Sequence, residues 1–292
     1  MGDNVLAKYI LVSGLIPYDS GKTWFTLGSA LYAKSSGLKV AVYKPVAGHS
    51  AWYSPETMAM SKKLRLLVGH DVSLYYKHGL IEDVASSNPV ALMTLPPDPL
   101  KYTELEKYFS ELENTYSMTV LSRITSCKNN ATRHYFYPDN IGKLADRLAR
   151  AVNRLIAILG AERSSIDHLI STLTAPSVSE ELDVCLNRVS IGKNVVFIES
   201  FNDAVTPYMG GLFKASVLVI VAPSKILVYC DLHEVREFVK ILTEKMGWSG
   251  YRSRYIVASF KPTKVFEAGF IKRPSVMKWH VAFIEYLLKE CL

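Results

Sequence analysis

The stretch Val12-Ser13-Gly14-Leu15-Ile16-Pro17-Tyr18-Asp19-Ser20-Gly21-Lys22-Thr23 decides how the rest of the chain is read. Ahead of it, Tyr9-Ile10-Leu11-Val12 is a continuous apolar run of the kind that forms a buried strand, and Gly14 ends it. Behind it, residues 21–36 carry helical spacing, closed by Gly37. A strand, a glycine-bearing loop and a helix opened by Gly-Lys-Thr are the context of a phosphate-binding loop. The residue types have physical reasons. Backbone N–H groups of the loop and of the helix N-terminus converge on phosphate oxygens, and the helix dipole favours the anion. Gly21 permits close backbone approach, Lys22 reaches the β- and γ-phosphates, and Thr23 offers a hydroxyl to Mg²⁺. The strict spacing would put glycine at position 16, where Ile16 stands; Gly14 is the nearest, so six residues separate the two glycines instead of four. Gly14, Ser20, Gly21, Lys22, Thr23 and Trp24 are the candidate nucleotide-binding residues.

Working outward, Lys39-Val40-Ala41-Val42-Tyr43 reads as a second strand, which completes a βαβ unit of a parallel sheet. It runs into Lys44-Pro45-Val46-Ala47-Gly48-His49-Ser50. A lysine at the carboxyl end of a parallel strand beside a phosphate loop points into the crevice where ligands bind. Residues 195–198, 217–221 and 255–258 repeat the buried-strand signature, and 229–246 carry the helical stripe Val235, Phe238, Val239 and Leu242. Glu199 follows the first of these runs, at the edge where a carboxylate can hold Mg²⁺. These patterns predict an α/β fold of the P-loop NTPase type, a mostly parallel sheet with helices on both faces. We read one domain over residues 1–292 with an elaborated insert at about 88–140. Within that middle, residues 88–100 hold four prolines and read as a loop, and 118–124 read as a strand. Residues 141–160 read as one helix with a basic face of Lys143, Arg147, Arg150 and Arg154. That face is expected to be solvated and not a nucleic-acid surface.

Composition narrows the class. Against 27 Asp+Glu stand 34 Lys+Arg, a net charge of +7, and hydrophobic residues make up 49% of the chain, so extensive disorder is excluded. No apolar run reaches the roughly 18–20 residues needed to span a bilayer, and the first residues lack the basic-then-apolar pattern of a secretory leader. Cys127, Cys185, Cys230 and Cys291 lie far apart with no CxxC pair, which reads as neither a zinc site nor a disulfide framework. A reduced, cytoplasmic protein is expected, with ATP and Mg²⁺ as cofactors and a small-molecule substrate as partner. Nucleic acid is admitted but not favoured, and no membrane partner is expected.

VSGLIPYDSGKT, followed by GLKVAVYKPVAGHS, resembles dethiobiotin synthetase and its relatives among P-loop ATPases over roughly residues 8–50. The resemblance implies that Lys22 and Lys44 contact phosphate or the carbamate being phosphorylated, and that Asp19 lies close to the metal and phosphate, giving Lys22, Lys44 and Asp19 as catalytic candidates. It also implies that Glu199 is a magnesium ligand beside Thr23. Asp71, preferred to Glu56, stands for a further family acid. Ser259 occupies the position of the family's base-reading asparagine, after the predicted strand 255–258. Ser200-Phe201-Asn202-Asp203 replaces the family's glycine-rich segment. Tyr75, Tyr76, His78, Ser87, Asn88 and Pro89 lie where the family places substrate-facing loops. Arg123, Lys128, Arg133, His134, Tyr135 and Tyr137 interleave basic and aromatic groups, read as a folded insert in preference to a base-stacking surface. Pro17 stands where partition-ATPase loops carry a lysine, which speaks against their sandwich dimer; a homodimer of another kind stays open. The implied activity is transfer or hydrolysis of the γ-phosphoryl group, with a ligase-type activation of a carboxylate or carbamate. A polynucleotide 5′-hydroxyl kinase and a non-catalytic nucleotide-dependent switch are the alternatives.

Overall fold

Continuous runs of β-branched residues build the first sheet. The computed structural model describes residues 7–269 and 275–292; residues 1–6, part of the stretch read as lacking a leader, lie outside the described residues. The architecture is α/β, with mixed sheets and helices on both sides. The chain divides into two compact units: one up to Pro45, with Leu74–Asp83 and everything from Leu186, and a second of Val46–Ser73 and Val84–Cys185. Where the sequence pointed to an insert at about 88–140, the second unit therefore begins directly after Lys44-Pro45.

In the first unit, β1 (Lys8–Gly14), β2 (Val40–Tyr43), β8 (Val195–Glu199) and β9 (Val217–Ala222) are parallel. With β10 (Lys225–Tyr229), antiparallel to β9, and β11 (Lys264–Glu267), antiparallel to β10, they give the order β11-β10-β9-β1-β8-β2. Every residue of β2, β8 and β9 is buried, as expected of strands covered by other elements. Helix α1 (Lys22–Ser35) packs along β1, β2, β8 and β9 and against the C-terminal helix Lys278–Glu290. Phe283 meets Phe25 of α1 edge-to-face at 4.7 Å between ring centroids.

Two expectations for this unit change. Residues 255–258 are not a strand but part of the helix Ser253–Ser259. The sheet position beyond β9 is already taken by β10, joined to β9 by a tight turn in which Ser224 has φ 64°. The short apolar run then buries only one side, Ile256, as a helix does. The thiols are not free either: Cys230, just past β10, is bonded to Cys291 at the end of the C-terminal helix, with Cα atoms 5.4 Å apart. In the second unit Cys127 is bonded to Cys185, with Cα atoms 5.2 Å apart. The partners lie 58 and 61 residues apart in sequence, a distance at which spacing carries no pairing signal.

The second unit has its own sheet: β3 (Val46–Ser50), β4 (Val90–Thr94), β5 (Thr119–Ser126), β6 (Ala131–Phe136) and β7 (Glu162–Arg163), in that order. Alternation along β4 explains its core. Ala91 and Met93 join Val152, Leu155 and Leu159 of the helix Asp146–Leu159, whereas Val90 and Leu92 join Leu169 of the helix Ile166–Thr174. The expected loop over 88–100 thus contains a fully buried strand, its prolines confined to the flanks at Pro89 and from Pro96 onward. The single helix expected over 141–160 is two, Pro138–Gly142 and Asp146–Leu159, separated at residues 143–145. Its basic face remains exposed at Arg147, Arg150 and Arg154, while Lys143 pairs with Glu111 at 2.8 Å. Among the described residues no helix is long and apolar enough to cross a membrane.

Candidate functional site: a buried carboxylate at the start of helix α1

Strand register does most of the positioning. β8 lies between β1 and β2, with Val12 opposite Glu199 and Tyr43 opposite Ile198. Lys44, the residue after β2, is therefore next in line to Glu199, and the loop after Gly14 leaves from the same edge of the sheet. Such an edge, where neighbouring strands send their connections in opposite directions, is where open α/β sheets bind ligands. Here β1 leads through α1 toward β2, while β8 leads to β9 on the other side of β1.

Three donors converge on the Glu199 carboxylate, which is fully buried. Thr23 Oγ1 donates to Oε1 at 3.0 Å, and Lys44 Nζ, only 3% exposed as a residue, donates to the same oxygen at 2.6 Å. The Tyr75 hydroxyl donates to Oε2. Burying a carboxylate requires this kind of compensation, because an uncompensated charge in the interior costs several kcal/mol.

The loop is shaped by contacts rather than by regular structure. Gly21 caps α1 in the left-handed region at φ 89°, and its carbonyl accepts from Phe25 N–H at 2.9 Å. Leu15 N–H bonds to the Val221 carbonyl at 2.9 Å. Gly14 has no room for a side chain: a Cβ there would stand 2.5 Å from Ser20 Oγ and 3.0 Å from the Asn202 carbonyl oxygen. Behind it, Ser13 Oγ donates to the Ala204 carbonyl at 2.7 Å and lies 2.5 Å from Ser253 Oγ, tying β1 to the segment after β8. Asp203 in that segment pairs with Arg252 at 2.7 Å.

The structure gathers Thr23, Lys44 and Glu199 as the sequence suggested, with Gly14, Ser20, Gly21 and Lys22 in the adjoining loop and helix start. Trp24 is half-buried in the first turn of α1. Other candidates fall elsewhere. Asp19 stands exposed on the loop, in left-handed backbone at φ 53°, and is not among the groups gathered on Glu199. Ser259 is the exposed last residue of a helix, not a strand end, because the run before it is helical. Asp71 belongs to the second unit, where it lines a cavity of about 190 Å³ with Gly48, His49, Ser50 and His70. Its charge acts on His49, which burial nevertheless holds down at about 4. Glu56 in the same unit is 2.8 Å from His70 Nδ1.

Tyr75, expected among residues facing a substrate, is instead a fully buried partner of Glu199. The signal was faint: Val72 and Tyr75, three apart on one helical face, are both buried. Three members of the basic and aromatic set in the second unit, Arg123, His134 and Tyr137, are also interior. Arg123 is fully buried and donates through Nη2 to Asn88 Oδ1 at 2.7 Å, and His134 Nε2 accepts from Leu67 N–H at 3.1 Å.

The donor set fits a nucleotide with a hard divalent cation. Ser20 Oγ is buried with no hydrogen-bond partner among the described residues, which leaves a polar atom in the loop for a ligand to satisfy. Thr23 and Glu199 offer oxygen, which suits Mg²⁺, an ion that needs only one or two protein oxygens besides phosphate and water. Among the described residues no group of three or more His, Cys, Asp or Glu could hold a metal by itself. Comparison with protein-family models, with curated proteins and with solved structures gave no match, so the geometry stands by itself.

Proposed function

We propose that the first unit is a P-loop nucleotide-binding fold that takes ATP with Mg²⁺ and transfers or hydrolyses the γ-phosphoryl group. The observation that carries this reading is the convergence of Thr23 and Lys44 on the buried Glu199 at the N-terminus of α1. The resemblance of residues 8–50 to dethiobiotin synthetase and its relatives supports it further.

In this reading the loop N–H groups and the start of α1 hold the phosphates, and Lys22 neutralises charge that develops on them. Thr23 and Glu199 would hold Mg²⁺, which supplies charge compensation at the phosphate oxygens. Lys44 keeps the buried Glu199 compensated at 2.6 Å and stands at the strand edge facing the same ligand. The reaction class we favour is ligase-type: a carboxylate or carbamate oxygen attacks the γ-phosphorus and ADP leaves. An amine then displaces phosphate from the activated acyl group. The bulky Ser200–Phe201 segment after β8 points to a substrate other than that of dethiobiotin synthetase.

Equilibrium titration with a non-hydrolysable ATP analogue tests the site. The wild-type chain is expected to bind, and Lys22→Ala to bind about 10- to 100-fold more weakly, as loss of a charge-assisted contact implies. Equal affinity in the two proteins removes the assignment. Incubation with γ-labelled ATP then assigns the acceptor: label on a small molecule supports the ligase, label on RNA ends the kinase, and binding without turnover the switch.

A further inference from the structure

We propose that Tyr75 is a positioning residue of the phosphate site, one that fixes the Glu199 carboxylate so that its Oε1 is the oxygen presented to Thr23 and Lys44. This rests on the reading of Thr23 and Glu199 as magnesium ligands.

A carboxylate on a flexible side chain can turn about its last torsion and exchange its two oxygens. In this site they are not equivalent. Oε1 accepts from Thr23 Oγ1 at 3.0 Å and from Lys44 Nζ at 2.6 Å, whereas Oε2 accepts from the Tyr75 hydroxyl. A phenol carries one proton. The Tyr75 oxygen also lies 3.3 Å from the Thr23 carbonyl oxygen, but the carboxylate, with its Lys44 partner, is the stronger acceptor and receives the hydroxyl's hydrogen bond. The carboxylate is thus held at both ends, by cation and hydroxyl on one oxygen and by a neutral donor on the other.

Tyr75 is itself fixed. Its side chain is fully buried, and its carbonyl accepts from Leu80 N–H at 3.0 Å. The Leu80 carbonyl in turn accepts from Val42 N–H of β2 at 3.2 Å. Val42 lies two residues before Lys44, so the segment that delivers the Tyr75 hydroxyl is bonded to the strand that delivers the Lys44 ammonium. Both donors to Glu199 outside α1 are therefore set by one edge of the sheet. Groups that orient a metal ligand without touching the metal typically contribute about 10- to 100-fold to metal affinity.

The experiment measures two affinities in wild type and in Tyr75→Phe, a change that removes one hydroxyl and keeps the ring. ADP affinity is measured without metal, and Mn²⁺ affinity is measured by electron paramagnetic resonance with ADP present. Mn²⁺ affinity is expected to fall about 10- to 100-fold in Tyr75→Phe with metal-free ADP affinity unchanged. In a Glu199→Gln background the same change should weaken Mn²⁺ no further. General loosening of the fold would lower both affinities together. Equal Mn²⁺ affinity in wild type and Tyr75→Phe, or a matching loss of metal-free ADP binding, overturns the role of Tyr75 and leaves the phosphate site standing. A wild-type chain that binds neither ADP nor Mn²⁺ overturns the phosphate site itself. If Tyr75→Phe does not fold, 3-fluorotyrosine placed at position 75 reports the same contact. Its fluorine resonance should shift on adding Mg²⁺ to the ADP-bound chain, and an unmoved resonance overturns the proposal.

Discussion

Replacing Lys44 by methionine removes the ammonium that pairs with Glu199 at 2.6 Å and leaves a carboxylate with no exposed surface. Breaking a buried pair from one side typically costs about 3–5 kcal/mol, whereas replacing both partners costs far less. Lys44→Met is therefore expected to lower the urea midpoint sharply, and Lys44→Met combined with Glu199→Gln to recover most of it. Equal midpoints in the single and double variants would show that the pair is not coupled. Histidines set a second behaviour at this scale. Burial holds His49, His134 and His280 down at about 4, against 6.5 for a free imidazole. The unfolded chain takes up protons that the folded chain refuses, so stability is complete above about 6.5 and falls as the pH drops toward 4. Melting temperature followed from pH 7 to 4.5 should decline, and His280→Asn should make the decline shallower; parallel curves would count against His280. The position of the candidate site was legible where local context sets it, as at Gly21, Lys22 and Thr23 at the start of α1 and at Glu199 at the end of β8. The place of Tyr75 was not, because it is set by contact with a carboxylate 124 residues away.

Helix α1 and the C-terminal helix meet at Gly28, and the His280 ring occupies the space a side chain at that position would need. A methyl group there would overlap the ring, and both positions are buried, so the helices would have to separate. Gly28→Ala is expected to destabilise by about 1–3 kcal/mol, as overpacking of a filled core does, although alanine favours helices. Chemical denaturation of the two proteins measures this, and a stabilised variant would contradict the packing. Elements with one strong signal, such as β1, α1, β8 and β9, were legible because long apolar runs and a capped helix leave few alternatives. β4 was obscured by the prolines flanking Val90–Thr94, and the helix Ser253–Ser259 by a run short enough for either conformation.

At the scale of the molecule, each unit carries its own sheet and its own disulfide, Cys230–Cys291 in the first and Cys127–Cys185 in the second. Closing loops of this length restrains the unfolded chain by about 4 kcal/mol each in the chain-entropy picture. Protein prepared without reductant and titrated in guanidinium should show no free thiol, and four would overturn both pairings. Cys291→Ser and Cys127→Ser should each lower the melting temperature, and a dithiol reductant should lower that of the wild type by more than either. The sequence by itself determined the α/β class, the parallel strands around β1, and the loop and helix start that would meet a phosphate, because periodicity, caps and Gly-Lys-Thr are properties of neighbouring residues. Only the tertiary structure decided that β4 is a buried strand, that the cysteines pair, that Ser259 ends a helix and that Tyr75 touches Glu199. Each of these depends on which distant segments the sheets bring side by side, and the free energy of such contacts is written in no local stretch of the chain.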